Sequence, residues 1–333
     1  MINKQMSVKL DMLKGLAIMS VICAHCNTVS DNYSVFNIHI GAILKTVGTI
    51  GVALLYILSG FLFERIELQQ QKSSVGKIIK KKLGRIIIPW VFCGTLVYFY
   101  VMIRQGGISA LGWLTWILGQ GTYLYFLTVL MLMYIVFGII GYNKKILYVL
   151  VIVSIISRGL VFLNVLDNKY YVLNIFNWII FFIAGMVISN RNISLGQKEK
   201  NIALFIFGIT LIVVFIRGSY FEYWSLGYWG FASVSSIGFL KIIEWIRPLR
   251  VGLIVRNLGR QSLAVYLLHM PFAGIVVNIF NRVDNGILTL SRPIIVLSMT
   301  MVCIKICGVI IKKLYIEDWG IRLLGIQVQE RKI

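Results

Sequence analysis

Apolar residues fall along this 333-residue chain in long runs, broken by short clusters of polar and basic positions. Ten runs approach or exceed the length of about 20 residues that a helix needs to cross a bilayer core. They cover 11–29, 41–63, 86–104, 122–141, 146–165, 172–190, 201–217, 228–246, 262–281 and 293–314. In lipid, backbone polar groups must be bonded within the segment itself, so such runs are read as helices. The pattern predicts an all-α polytopic membrane protein of about ten transmembrane helices. No long polar insertion separates the runs. Residues 1–333 are therefore expected to form a single membrane-embedded domain, with 315–333 as a short cytoplasmic tail. The first run lacks a small-x-small cleavage site followed by a polar region, which predicts a retained span rather than a signal peptide.

Composition agrees: 59% of the residues are hydrophobic. Charge then orients the spans. A net charge of +21 would suggest nucleic acid in a soluble protein. Here the basic residues collect in alternate connections, as they do on the cytoplasmic side of membrane proteins. Lys4, Lys9 and Lys14 are followed by a cluster at 65–85, then Lys144 and Lys145, and then Arg191, Lys198 and Lys200. Arg247, Arg250, Arg256 and Arg260 come next, and Lys312, Lys313, Arg322, Arg331 and Lys332 close the series. The intervening connections hold only Lys45, Arg104, Lys169, Arg217, Arg282 and Arg292. Both termini are therefore expected to be cytoplasmic in a multi-pass protein of a bacterial plasma membrane. Anionic lipid headgroups, not nucleic acid, are the expected partners of the basic surface.

Cys23, Cys26, Cys93, Cys303 and Cys307 lie in or beside apolar runs and read as small core residues. The C-x-x-C around His25 has no second ligand pair at suitable spacing, so no metal site is expected.

Ionisable groups are costly inside a membrane and point to function when they occur there. The carboxylates all fall at span ends or in connections, which weighs against a proton-coupled pump. His25, His269, Arg158 and Lys305 remain as candidates for chemistry. Lys14 and His25 are eleven residues apart, which puts both on one helix face with a rise of about 16 Å, roughly half a bilayer core. A buried imidazole stays neutral and can accept a proton, the state a general base requires. His269, in GRQSLAVYLLHMP, reads first as a helix-packing residue. Arg158 reads as an oxyanion or anion partner, or as a side chain snorkelling outward.

Three connections carry further signals. The segment 64–85 ends in KIIKKKLGRIIIP, a basic stretch that serves equally as an orientation signal or as a surface for an anionic ligand such as a nucleotide phosphate. The segment 105–121 is Gly-rich and too short for a span, so an interfacial or re-entrant course is expected. The aromatic segment GSYFEYWSLG at 218–227 suits either a membrane interface or a sugar.

Together these motifs resemble the integral-membrane acyltransferases of acyltransferase family 3, especially members that O-acetylate surface polysaccharides. The family opens with Leu-Asp-x-Leu-Arg and, ten or so residues on, a histidine; Leu10, Asp11, Leu13, Lys14 and His25 match, with Lys for Arg. Tyr56, Ser59, Gly60 and Phe61 match the end of its second span, and Arg85, Ile86 and Pro89 its Arg-(Ile/Leu)-x-x-Pro pattern. Leu124, Tyr125, Phe126 and Leu127 match Leu-Trp-Phe-Leu with Tyr for Trp. Gly259, Ser262, Leu263, Tyr266, Leu267 and His269 match the last motif. The resemblance implies transfer of an acyl group from cytosolic acyl-CoA to an acceptor on the far side of the membrane. It implies that His25 is essential and that position 14 engages the donor, with a point charge here in place of a planar fork.

The expected function is an O-acyltransferase using acetyl-CoA as donor substrate, with no permanently bound cofactor, acting on a glycan or lipid-linked sugar hydroxyl. Lys14, Lys80, Lys81, Lys82 and Arg85 are the expected CoA contacts. His25 is the expected catalytic base, and Ser59, Tyr125, Arg158 and His269 are candidate oxyanion or acceptor contacts. The alternative is a carrier or flippase for a lipid-linked sugar or small solute.

Overall fold

A computed structural model describes residues 4–26, 34–35, 38–68, 80, 83–105, 107–163, 165, 168–218, 222–223, 225, 227–280, 286–314 and 322–326. All ten predicted runs carry a helix. These are α1 (Lys4–His25), α2 (Ile40–Leu62), α3 (Ile88–Gln105), α5 (Tyr125–Ile140), α6 (Lys144–Phe162), α7 (Ile175–Asn190), α8 (Gln197–Arg217), α9 (Tyr228–Ile246), α11 (Ser262–Phe280) and α12 (Gly286–Lys313). Two short helices lie between them, α4 (Ala110–Ile117) and α10 (Arg250–Arg260). A pair of two-residue strands, Ser34–Val35 and Ile38–His39, does not alter the all-α class.

Among the described residues, seven helices have the length and apolarity to cross a membrane: those at 40–66, 84–103, 144–162, 171–190, 197–217, 262–280 and 288–313. The helix at 125–140 is apolar but shorter. Helices α1 and α9 have the length but a more polar make-up, with Lys9, Asp11 and Lys14 in one and Lys241 and Glu244 in the other.

The outward faces explain why the chain needs lipid. Ile152, Ile155, Ile156, Ile212, Ile216 and Val309 all stand exposed on α6, α8 and α12, an apolar surface of a kind soluble monomers avoid. Inside, small residues let backbones touch, as is usual between membrane helices. At the α1–α10 crossing a side chain on Gly259 would strike the Asp11 carbonyl oxygen, and one on Gly15 would strike that of Val255. The segment 105–121 is neither a span nor structureless. It holds α4, whose first turn is capped by the Ser109 hydroxyl accepting from the Gly112 amide at 2.9 Å.

Candidate active site

The helix α1 ends at His25, and α11 brings His269 beside it, with ring centroids 5.2 Å apart and planes tilted by 50°. A cavity of about 340 Å³ opens at His25, within the usual range for a small-molecule site. Its other walls are Trp116, Gly121, Thr122, Tyr123, Tyr125, Val172 and Met270. Four separate stretches of chain therefore meet around one imidazole.

A proline organises this junction. Pro271 lies inside α11 and has no N–H to offer the carbonyl of Leu267, four residues back. The Tyr123 hydroxyl donates to that carbonyl at 2.9 Å. In return the Tyr266 hydroxyl donates to the Tyr123 carbonyl. These two bonds staple the α4–α5 connection to α11 and set the Tyr123 ring edge-on to His269 at 5.5 Å.

His269 itself is fully buried. Its Nδ1 lies 2.7 Å from the Tyr266 carbonyl oxygen and 3.2 Å from that of Val265. A carbonyl can only accept, so the network assigns the proton to Nδ1 and leaves Nε2 as a bare acceptor. That acceptor has no partner among the described residues. An unmet buried polar atom costs about 1–3 kcal/mol. The Trp116 indole N–H, in the cavity wall, likewise has no partner among the described residues.

The other candidates separate. Tyr125 lines the cavity, as His25 does, but Ser59 on α2 is not part of its wall. Arg158 does not snorkel. It is buried and bonded, with Nη1 donating to the Tyr171 hydroxyl at 2.7 Å and Nη2 to the carbonyls of Tyr223 and Ser225. Its guanidinium also stacks 4.6 Å from the Trp229 ring centroid. Tyr223, in the 218–227 connection, is thereby held beside Tyr125; burial pushes its phenol up to about 12, offset in part by a hydrogen bond with the Tyr125 hydroxyl. Lys305 stands exposed on α12.

At the other end of α1, Asp11 lies 3.8 Å from Lys14 Nζ and 3.5 Å from Arg260 Nε. Arg256 lies one turn before Arg260 on α10, the helix whose Gly259 backs onto Asp11 and Gly15. Arg256 Nε is buried there without a partner among the described residues. Lys14 and Arg260 thus share one carboxylate. Lys80 and Arg85 are exposed, while Lys81 and Lys82 lie outside the described residues.

A family model described as "Acyltransferase domain", that of acyltransferase family 3, matches residues 7–312. The chain belongs to acyltransferase family 3. Neither the curated proteins nor the solved structures yield a match. As a family 3 acyltransferase, the protein carries its two chemically distinctive ends on a single helix, with cations at residue 14 and an imidazole at residue 25. Sequence reasoning missed Trp116, Thr122, Tyr123, Val172 and Met270 as cavity residues, and Arg260 as a second partner of Asp11. One signal was present for Tyr123: a proline four residues after Leu267 frees a carbonyl that some donor must satisfy.

Proposed function

We propose that this membrane acyltransferase moves an acetyl group from cytosolic acetyl-CoA to a hydroxyl of an extracytoplasmic glycan, as its resemblance to polysaccharide O-acetylating enzymes suggests. The observation that carries the reading is the placement of His25, with its ring at a cavity walled by Trp116, Tyr123 and Tyr125. Aromatic faces of this kind suit the apolar faces of a sugar ring, and a partnerless indole N–H suits one of its oxygens.

In this reading His25 takes the proton from the sugar hydroxyl as its oxygen attacks the thioester carbonyl carbon. The tetrahedral intermediate collapses with cleavage of the C–S bond. The departing CoA thiolate recovers the proton from the His25 imidazolium, giving the O-acetyl ester and CoA thiol. General base catalysis of this kind contributes about 10²–10⁴-fold. The donor phosphates bind at this end of α1 and α10, where Lys14 and Arg260 flank Asp11 and Arg256 lies one turn from Arg260. Arg256 and Arg260 supply planar guanidinium forks in place of the one missing at position 14. The rise from Lys14 to His25, about 16 Å, suits an extended pantetheine arm.

Membranes containing the protein, supplied with radiolabelled acetyl-CoA, test the reading. Turnover of the thioester is expected for the native chain and a loss of about 10²-fold or more for His25→Ala inserted at equal level. Acetyl-CoA left untouched by the native chain would favour the carrier reading. Proton NMR of the surface glycan from a deletion strain and its parent then identifies the acceptor through its missing O-acetyl signals.

A further inference from the structure

We propose that His269 is a positioning residue that fixes the tautomer of His25 by accepting its N–H at Nε2. This inference rests on the reading of His25 as the base and assigns a second residue to that site. The argument is one of elimination. With Nδ1–H bonded to main-chain carbonyls, the neutral His269 ring can offer Nε2 only as an acceptor. Among the described residues, three polar rings lie against His269: His25 at 5.2 Å, Tyr123 at 5.5 Å and Tyr266 at 6.0 Å between centroids. The Tyr123 hydroxyl is committed to the Leu267 carbonyl and the Tyr266 hydroxyl to the Tyr123 carbonyl. Among these rings His25 alone has an N–H committed to no described residue, and its ring, 5.2 Å away between centroids, is the one within reach of the vacant lone pair.

The consequence is chemical. A neutral imidazole has one N–H and one lone pair, and which nitrogen carries the proton is set by the bond the other makes. Committing the N–H of His25 to His269 leaves the second nitrogen as a lone pair for the acceptor hydroxyl. When that nitrogen gains the proton, the imidazolium has two N–H groups: one remains bonded to His269 Nε2, and the other returns its proton to the leaving thiolate. A neutral acceptor thus does at this site what an oriented carboxylate does in a hydrolytic triad.

The chain has three histidines, so the imidazole nitrogens of a ¹⁵N-histidine-labelled sample are few enough to assign in membranes. Two variants separate acceptor from bulk. His269→Phe fills the space without an acceptor, and His269→Gln keeps a carbonyl oxygen near the Nε2 position. His25 is expected as a single tautomer in the native protein, as a mixture in His269→Phe, and as a single tautomer again in His269→Gln. In acetyl transfer, His269→Phe is expected to lower kcat by about 10²-fold at unchanged KM for acetyl-CoA, with His269→Gln recovering most of the loss. A His25 tautomer unaltered by His269→Phe overturns the proposal, as does an equal loss of kcat in both variants. Full activity in His25→Ala would overturn the underlying base assignment instead, and the nitrogen spectra would still report on the pair.

Discussion

The buried guanidinium of Arg158 is hydrogen-bonded at two of its three nitrogens, Nε being without a partner among the described residues. Its guanidinium ties α6 to the Tyr171 hydroxyl and to two carbonyls of the 222–225 connection. Arg158→Met keeps the length of the side chain and leaves those acceptors unmatched. Hydrogen bonds to charged groups contribute about 1.5–3 kcal/mol, so a clear fall in melting temperature in detergent is expected, with turnover per folded molecule within about 3-fold of native. A collapse of kcat at unchanged melting temperature would mean instead that the guanidinium reaches the reacting atoms. The sequence could nominate Arg158 because intramembrane charge is rare, but could not say which task it served. Three of its hydrogen-bond partners lie 13 to 67 residues away along the chain, in connections with no periodic pattern. His25 was easier to interpret, since eleven residues from Lys14 is a spacing within one helix.

At the scale of elements, the α4–α5 connection and α11 depend on each other through Pro271. Tyr123→Phe removes the hydroxyl that satisfies the Leu267 carbonyl and is expected to destabilise the native protein by about 1–2 kcal/mol. Pro271→Ala restores an N–H at the position where α11 would satisfy that carbonyl itself. In this background Tyr123→Phe is expected to cost less, with a coupling of about 0.5–1 kcal/mol in a double-mutant cycle of thermal stability. Strictly additive effects would show that the staple and the proline act independently. The helices themselves were legible from apolar run length, including the proline-bearing α11. The pairing of His269 with His25 was not, because it arises where α1 and α11 meet across 244 residues of chain. Helix packing in membranes is decided by small residues and shape rather than by a readable apolar stripe. For the same reason α10 appeared in the sequence only as a basic connection, though its Gly259 and Val255 touch α1 directly.

For the whole molecule, orientation follows from where the basic connections lie. Lys144 and Lys198 belong to the connections expected inside, and Gln120 to the one expected outside; all three are exposed. In a cysteine-free background, Gln120→Cys is expected to react with an impermeant maleimide on intact cells, whereas Lys144→Cys and Lys198→Cys should react only after permeabilisation. Equal labelling at all three would remove the topology on which donor and acceptor were assigned to opposite sides. The apolar runs made the all-α architecture legible, since bilayer thickness acts on single segments. The cavity was less so, because its walls come from four segments whose meeting no local pattern encodes.

The contact of Gly15 and Gly259 has a consequence of scale. Each glycine stands ten residues before one of the paired histidines, His25 on α1 and His269 on α11. The crossing is therefore a shared fixed point: α1 runs from it straight to His25, while the joint at Gln261 between α10 and α11 carries the chain from it to His269, like the pivot of a pair of callipers with one jointed arm. A slip of one residue in α1 would translate its tip by about 1.5 Å and turn it by about 100°, carrying His25 away from its partner. Bulk added at the pivot, far from the reacting bond, would open the tips.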